Sequence, residues 1–462
     1  MKYFRLTLFN SLKINAQNII PNFIKQRFNE RIELQKIFVN FSWLLFDKVV
    51  RLVVSIVVFS WTARYLGPEK FGIWNYAIAF VALLAPISTL GLNTIVVKEL
   101  VKAPDQKGVI VGTTFVLKLV GSILTFIVAS LAIYFKRSDD LLTQQLVAIV
   151  AIGFIFQSFD AIDLYFQAVW KSNYTVIAKT SGFLVSSAIK VALILLKFEL
   201  IYFVWVSVFE YLIGSILLIF NYRKDNQKFI HWRFNWKTAK WLLYYSWPLV
   251  ISSISITIQA YIDQIMLGDM IGDHELGQFA AANKLVLAVS FIPMIIQSSV
   301  APDLTMAKQK SEDLYYYKLQ KIYQLMFFLF VIIAIPTILF SDFIISVFYG
   351  ADYKAAGFIL SLLIFRLFFA NMGVAKSLLI TNDNLFKYSL VTSLTGSIIN
   401  VVLNYILIPH YSSVGAIIST IISLTVTIFV VDIFFKPVHR NLRIMLLAIF
   451  DIRSYADWFK KI

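Results

Sequence analysis

Twelve runs of apolar residues, each long enough to cross a bilayer as a helix, fill most of this 462-residue sequence. They lie near 41–66, 73–97, 109–135, 141–169, 173–196, 199–221, 240–267, 277–301, 319–340, 354–380, 386–408 and 413–435. A hydrocarbon core of about 30 Å takes about 20 such residues at 1.5 Å each. Lipid offers backbone N–H and C=O groups no partner, so each run must satisfy its own as a helix. The expected fold is therefore an all-α integral membrane protein with twelve transmembrane helices. The chain is 59% hydrophobic and 15% charged, which excludes an ordinary soluble protein. It has no cysteine, which excludes disulfides, thiolate metal sites and cysteine nucleophiles.

The net charge of +16 does not point to nucleic acid, because the basic residues fall mostly in short loops between apolar runs. With the N-terminus inside, twenty-eight Lys and Arg fall on the cytoplasmic side and six on the other. The positive-inside rule then places both termini in the cytoplasm. Five regions follow: a basic N-terminal segment at 1–40, a six-helix bundle at 41–221, a basic linker at 222–240, a second six-helix bundle at 241–435, and a basic tail at 436–462. The N-terminal segment reads as a basic, amphipathic stretch near anionic lipid.

The two halves resemble each other. SWLLFDKVVRL from Ser42 aligns with SWPLVISSISI from Ser246, and GPEKFG from Gly67 with GDHELG from Gly272. Pro86 and Pro293 then interrupt the following span in each half. Six spans return the chain to its starting side, so the halves share one topology. They are expected to form a parallel repeat about a pseudo-two-fold axis along the membrane normal, with the site between the bundles.

Eight basic residues remain inside the spans: Lys48, Arg51, Lys118, Lys179, Lys190, Lys284, Arg366 and Lys376. Against them stand six acids: Asp47, Asp160, Asp163, Glu210, Asp263 and Asp432. A charge at the bilayer centre costs about 2.5–3.5 kcal/mol on insertion scales, so such residues face a bundle interior or an aqueous cavity. Lys179, Lys376, Asp163 and Asp432 lie near helix ends and are expected to snorkel to the interface. Asp47 and Arg51 are four apart on one helical face and can neutralise each other. Arg366 lies deep in its span, either free to bind an anion or paired with Glu210 or Asp160. Asp263 shares a polar face with Ser252, Ser255 and Gln259, and could pair with Lys284.

These charges outline a cavity with an excess of positive charge, which attracts an anion: pyrophosphate, phosphate or an acidic sugar. The candidate binding residues are Arg51, Lys118 and Arg366, followed by Lys48 and Lys284. Asp263, Glu210 and Asp47 are the candidates for coupling to a proton or sodium ion. The four histidines, His231, His274, His410 and His439, lie far apart in loops or tails and form no metal site. The sequence carries no phosphate-binding glycine loop, nucleophile elbow or HExxH pattern, so neither an enzyme nor a bound cofactor is expected.

The stretch from Asn40, NFSWLLFDKVVRL, with the WTARYLGPEKFG turn and the GLNTIVVKEL end, resembles the opening of Wzx-type polysaccharide flippases. These belong to the multidrug/oligosaccharidyl-lipid/polysaccharide exporter superfamily. YGADYKAAGFILSLLIFRLFF from Tyr349 and INVVLNYILIP from Ile399 are similar too. The resemblance implies two six-helix bundles in a V around a cationic cavity. It implies a flippase carrying undecaprenyl-pyrophosphate-linked oligosaccharide across the bacterial cytoplasmic membrane for O-antigen, capsule or exopolysaccharide synthesis. Its partners would be the polyprenyl-pyrophosphate-linked glycan, membrane lipids and other polysaccharide assembly proteins. A cation-coupled multidrug antiporter of the same fold is the alternative, against which the net positive cavity argues.

Overall fold

The computed structural model describes the backbone of residues 32–450 and the side chains of Trp43 and of 47–450. Most of the expected N-terminal segment (1–40), and the tail beyond 450, lie outside the described residues. Every element among the described residues is a helix. α1 (Ile32–Leu83) is continuous except at Gly67, whose φ of 74° and ψ of 167° leave the helical region. Glycine adopts that conformation without a Cβ clash, and Pro68 starts the next leg where its missing N–H costs nothing. The short α2 (Ala85–Thr89) and α3 (Leu92–Lys102) follow, separated by Leu90 and Gly91 at positive φ.

Then come α4 (Lys107–Lys136), α5 (Leu141–Gln157), α6 (Asp160–Ala168), α7 (Ser172–Leu195) and α8 (Leu200–Lys224). After a connection containing one 3₁₀ turn, α9 (Trp236–Met270) opens the second half, followed by α10 (Asp273–Val289), α11 (Phe291–Lys310) and α12 (Glu312–Leu339). α13 (Ser341–Tyr349), α14 (Lys354–Leu363), α15 (Arg366–Asn382) and α16 (Phe386–Thr425) come next. A π-helical turn, Val426–Val430, leads into α17 (Val431–Phe434), and α18 (His439–Phe450) ends the described chain. That last helix buries Ile444, Met445 and Ala448 against α12, so part of the expected tail is folded.

Among the described residues, nine helices are long and apolar enough to cross a membrane, or ten when the bent pair at 351–382 is one span. The chain is a multi-pass membrane protein. Two of the nine pass through a single non-helical residue, Gly67 in one and Ser412 in the other. The expected helix at 354–380 is bent by 41° at residues 364–365, which makes Arg366 the first residue of a new helix. Of the span prolines, Pro86 and Pro293 sit just after helix breaks, while Pro248 and Pro336 lie inside α9 and α12.

The apolar core explains the shape. One buried cluster is shared by both halves and includes Phe71, Tyr76, Leu267, Phe279, Tyr349 and Tyr353. It gathers near the end of the bundle that carries the 64–72, 269–277 and 340–353 turns. Toward the opposite end the core divides. One cluster centres on Leu92, Phe166 and Tyr222 in the first half, and another on Leu319, Tyr323 and Met372 in the second. The halves are thus joined at one end and hold separate cores at the other. α9 bridges them, its Ser246 carbonyl and Val250 amide lying against Gly91.

At the joined end the backbones themselves touch. A Cβ on Gly72 would lie 1.8 Å from the Asp273 carbonyl oxygen, and one on Gly277 would lie 1.9 Å from that of Pro68. Neither position admits a side chain. Tyr353 donates a hydrogen bond to the Ala63 carbonyl at 2.9 Å, and Arg64 donates to the carbonyls of Ser346 and Val347 at 2.7 and 2.6 Å. The orphan carbonyls at the end of α13 thereby gain a cationic partner.

Candidate functional site

The first half holds six of its span charges in two ion-paired groups. Asp47 and Arg51, one turn apart on α1, form an ion pair at 2.7 Å, as their spacing predicts. Thr180 of α7 donates a second hydrogen bond to Asp47. Arg51 also reaches Glu210 of α8 at 3.7 Å and lies over the Phe183 ring at 5.0 Å. Ser186 donates to the other Glu210 oxygen at 2.9 Å.

Lys179 sits between Asp160 at 2.9 Å and Asp163 at 2.7 Å. It does not snorkel: both acids come from α6, which packs against α7 and brings the carboxylates to the ammonium. Lys118 is buried on α4 and donates to Asn93 of α3 at 2.8 Å. Arg51, Asp160, Lys179 and Glu210 line a cavity of about 190 Å³ with Gln157 and Tyr211. Four carboxylates, Asp47, Asp160, Asp163 and Glu210, hold the two cations Arg51 and Lys179, so this group is not basic.

The second half is arranged differently. Asp263 on α9 is 3% exposed and has no cation within ion-pair distance among the described residues. Its partners are neutral: Asn404 donates at 2.7 Å and Thr420 at 2.5 Å, with Asn400 donating in turn to Thr420 at 3.3 Å. The Lys284–Asp263 pairing is not formed; the Lys284 ammonium lies 4.4 Å from the centre of the Phe59 ring instead. Arg366 pairs with neither Glu210 nor Asp160 among the described residues; those acids are held by Arg51 and Lys179. Among the described residues the Arg366 guanidinium reaches only the Gln259 carbonyl, at 3.5 Å. Lys48 is exposed on α1.

Lys376 and Asp432, expected near the interface, are instead buried against each other at 2.5 Å. Tyr388 also donates to Asp432, and Lys376 donates to the Thr427 and Ile428 carbonyls, which the π-helical turn leaves available. Sequence spacing gave no sign of this triad, because its members come from α15, α16 and α17.

Two groups therefore stand out from the paired charges. Lys48, Lys118, Lys190, Lys284 and Arg366 make no ion pair among the described residues, and Asp263 is the span acid left without a cation. No group of His, Asp and Glu among the described residues is arranged to hold a metal ion. An unpaired charge in low dielectric costs several kcal/mol, so these positions favour ligands of opposite sign.

A further ionic network closes the joined end. Arg137, between α4 and α5, contacts Asp273 at 3.1 Å, Asp269 at 3.4 Å and Asp140 at 3.3 Å, and covers the Tyr76 ring at 3.8 Å. Burial opposes its charge, but hydrogen bonding to Asp273 more than offsets this and raises its pKa above the ordinary value. Asp140 caps α5 through the Thr143 amide at 3.0 Å. Burial works against its ionisation, yet the Thr143 hydrogen bonds and Arg137 hold its pKa below the usual carboxylate value.

A family described as polysaccharide biosynthesis protein matches residues 37–308. The "Putative O-antigen transporter" of Shigella flexneri is 25% identical over 82% of this chain and 93% of its own. The capsular polysaccharide biosynthesis protein CapF of Staphylococcus aureus is 21% identical over 86% of this chain and 99% of its own. Among solved structures, the lipid II flippase MurJ aligns with a TM-score of 0.64 at 17% identity, covering 92% of this chain and 93% of that one. An inward-facing multidrug transporter of the MATE family aligns with a TM-score of 0.61 at 13% identity, over 89% and 95%. The Shigella relative and the two solved structures are named as transporters or a flippase, not as enzymes, and the two structures share this fold. With the match covering more than half of its length, the chain belongs to the polysaccharide biosynthesis protein family.

Proposed function

We propose that this protein is a flippase that moves an undecaprenyl-pyrophosphate-linked oligosaccharide across the bacterial cytoplasmic membrane, for O-antigen, capsule or exopolysaccharide synthesis. The observation that carries the reading is the set of intramembrane cations with no acid partner, in a chain related to O-antigen and capsule proteins. Pyrophosphate offers such cations oxygen acceptors and two negative charges. The glycan occupies the cleft where the two cores separate, and the polyprenyl tail stays in lipid. Lys118 and Arg366 are the proposed contacts from that set of cations, with Lys48 and Lys284 in support; Arg51, held by Asp47 and Glu210 in this state, is a third proposed contact that would exchange a carboxylate for the pyrophosphate.

The architecture in this reading is two six-helix bundles. Dividing the helices that pass through Gly67 and Ser412 raises the span count from ten to twelve. The pseudo-two-fold repeat is supported by the contacts of its aligned glycines. Gly67 and Gly272 both have positive φ, and Gly72 touches Asp273 as Gly277 touches Pro68, which aligns with Asp273. With the basic loops and both termini in the cytoplasm, the joined end lies outside and the cleft opens inward. Alternating access then requires the joined end to part. Asp263 is the proposed site for a coupling proton or sodium ion, because a cation there relieves a buried, unpaired carboxylate; Glu210 and Asp47, already paired with Arg51, are secondary candidates.

Depleting the protein in a host that makes such a glycan tests the reading. Lipid-linked oligosaccharide should accumulate on the cytoplasmic leaflet and clear on re-expression. Unchanged export after depletion, with gradient-driven efflux of organic cations by the protein, would favour the multidrug antiporter.

A further inference from the structure

We propose that Lys190 of the first half and Lys284 of the second, with the Trp74 indole N–H, form a bridging site for a pyrophosphate group at the junction of the two halves. The proposal rests on the flippase reading and assigns a headgroup subsite within it. Lys190 carries no role in that reading so far, and Lys284 only a supporting one.

Three observations converge. The Lys190 ammonium lies 5.7 Å from the centre of the Trp74 ring, and that of Lys284 lies 4.4 Å from the Phe59 ring. The two rings are 6.4 Å apart, on the two legs of α1 that meet at Gly67. One lysine comes from α7 and the other from α10, so the break in α1 presents two adjacent aromatic seats for cations from opposite halves.

The second observation is electrostatic. Neither lysine makes an ion pair among the described residues, yet the two ammonium groups are close enough to repel each other. Glu210 is near enough to act on both, but its oxygens are already engaged by Arg51 at 3.7 Å and Ser186 at 2.9 Å. Contact with an aromatic face helps a cation only modestly and does not cancel repulsion between two cations.

The third observation is an unused donor. Trp74 is 3% exposed, and its indole N–H is buried with no acceptor among the described residues. A buried donor without a partner is uncommon and marks a place where an acceptor belongs. Two ammonium groups and one N–H together fit an anion with several oxygens and at least two charges. Pyrophosphate meets that description better than a carboxylate, which carries one charge.

Because each half supplies one lysine, the ligand links the halves. It removes the repulsion that otherwise opposes their approach and so favours the state in which the outer end is joined. The lysines act as point charges rather than as a fixed fork. Arginine at either position should therefore keep much of the binding.

The test uses the full-length protein in nanodiscs, titrated with inorganic phosphate, inorganic pyrophosphate and a short-chain polyprenyl pyrophosphate by calorimetry. The parent should bind both pyrophosphate probes, each more tightly than phosphate. Lys190→Gln and Lys284→Gln should each weaken pyrophosphate binding about tenfold or more. Trp74→Phe should weaken it several-fold, and Lys190→Arg and Lys284→Arg should retain most of it, which separates lost charge from lost folding. Parent-like binding by both glutamine variants would overturn the site. Binding of inorganic pyrophosphate without the polyprenyl form would overturn its assignment to a lipid-linked ligand. Parent flipping that survives in both glutamine variants with binding unchanged sinks the site and leaves the flippase. Lysine-dependent binding without any flipping by the parent sinks the flippase and leaves the anion site.

Discussion

Gly72 and Gly277 make the same contact in opposite directions: the first lies against the backbone of Asp273 and the second against that of Pro68. No side chain fits at either place while the two halves remain joined. Gly72→Ala and Gly277→Ala should therefore push the halves apart at this end without disturbing the lipid-facing surface of either. Both variants should insert normally and lose at least about tenfold in transport. With no native cysteine in the chain, a single introduced cysteine can report exposure of this end by labelling rate. Faster labelling at the junction is expected; parent-like labelling and transport would contradict it.

Arg137 holds the same junction through charge. It joins Asp269 and Asp273 of the second half while also serving the cap residue Asp140 of the first. Hydrogen bonds to charged groups contribute roughly 1.5–3 kcal/mol when partly buried. Arg137→Ala should thus shift the balance toward an open outer end by about tenfold or more, read as spin-label distances across the junction. Arg137→Asp combined with Asp273→Arg should recover part of the closed population. No change in the distance distribution for Arg137→Ala would rule out this role.

Lys376 and Asp432 are buried with each other inside the second half. Removing one partner strands the other, which costs about 3–5 kcal/mol, whereas replacing both with apolar residues is often close to neutral. Lys376→Met and Asp432→Leu should each lower the melting temperature in detergent markedly. The double variant should regain most of the loss. A double variant as unstable as the sum of the singles would contradict the pairing.

Asp263 has only neutral partners, Asn404 and Thr420. If a coupling ion sits there, Asp263→Asn removes the charge that holds it and keeps the shape. Transport by this variant should lose any acceleration by a proton or sodium gradient, and thermal stabilisation by sodium, where the parent shows it, should disappear. A gradient response equal to the parent's would exclude Asp263 as the coupling site.

Much of this fold was legible in the sequence because lipid imposes one solution on every long apolar run. The breaks were readable as well: the aligned Gly67 and Gly272, and Pro86 with Pro293, mark departures from regular helix in both halves. Spacing gave the Asp47–Arg51 pair because helical neighbours four apart share a face. It did not give Lys179 with Asp160 and Asp163, Lys376 with Asp432, or Lys190 near Lys284. Those partners come from different helices, and their meeting depends on rotation and depth that periodicity alone does not fix. The bend at residues 364–365 was likewise hidden, since IleLeuSerLeuLeuIlePheArg reads as one uninterrupted helix.

The most direct measurement is flipping by the purified protein in vesicles, with a short polyprenyl-pyrophosphate oligosaccharide followed by its accessibility to an added lectin or glycosidase. The parent should move the lipid at a rate well above protein-free vesicles. Arg366→Ala and Arg51→Ala, reconstituted to the same level, should each lose about tenfold or more. Protein-dependent flipping that both variants retain would contradict the cationic site, and no flipping of any such lipid by the parent would contradict the flippase itself.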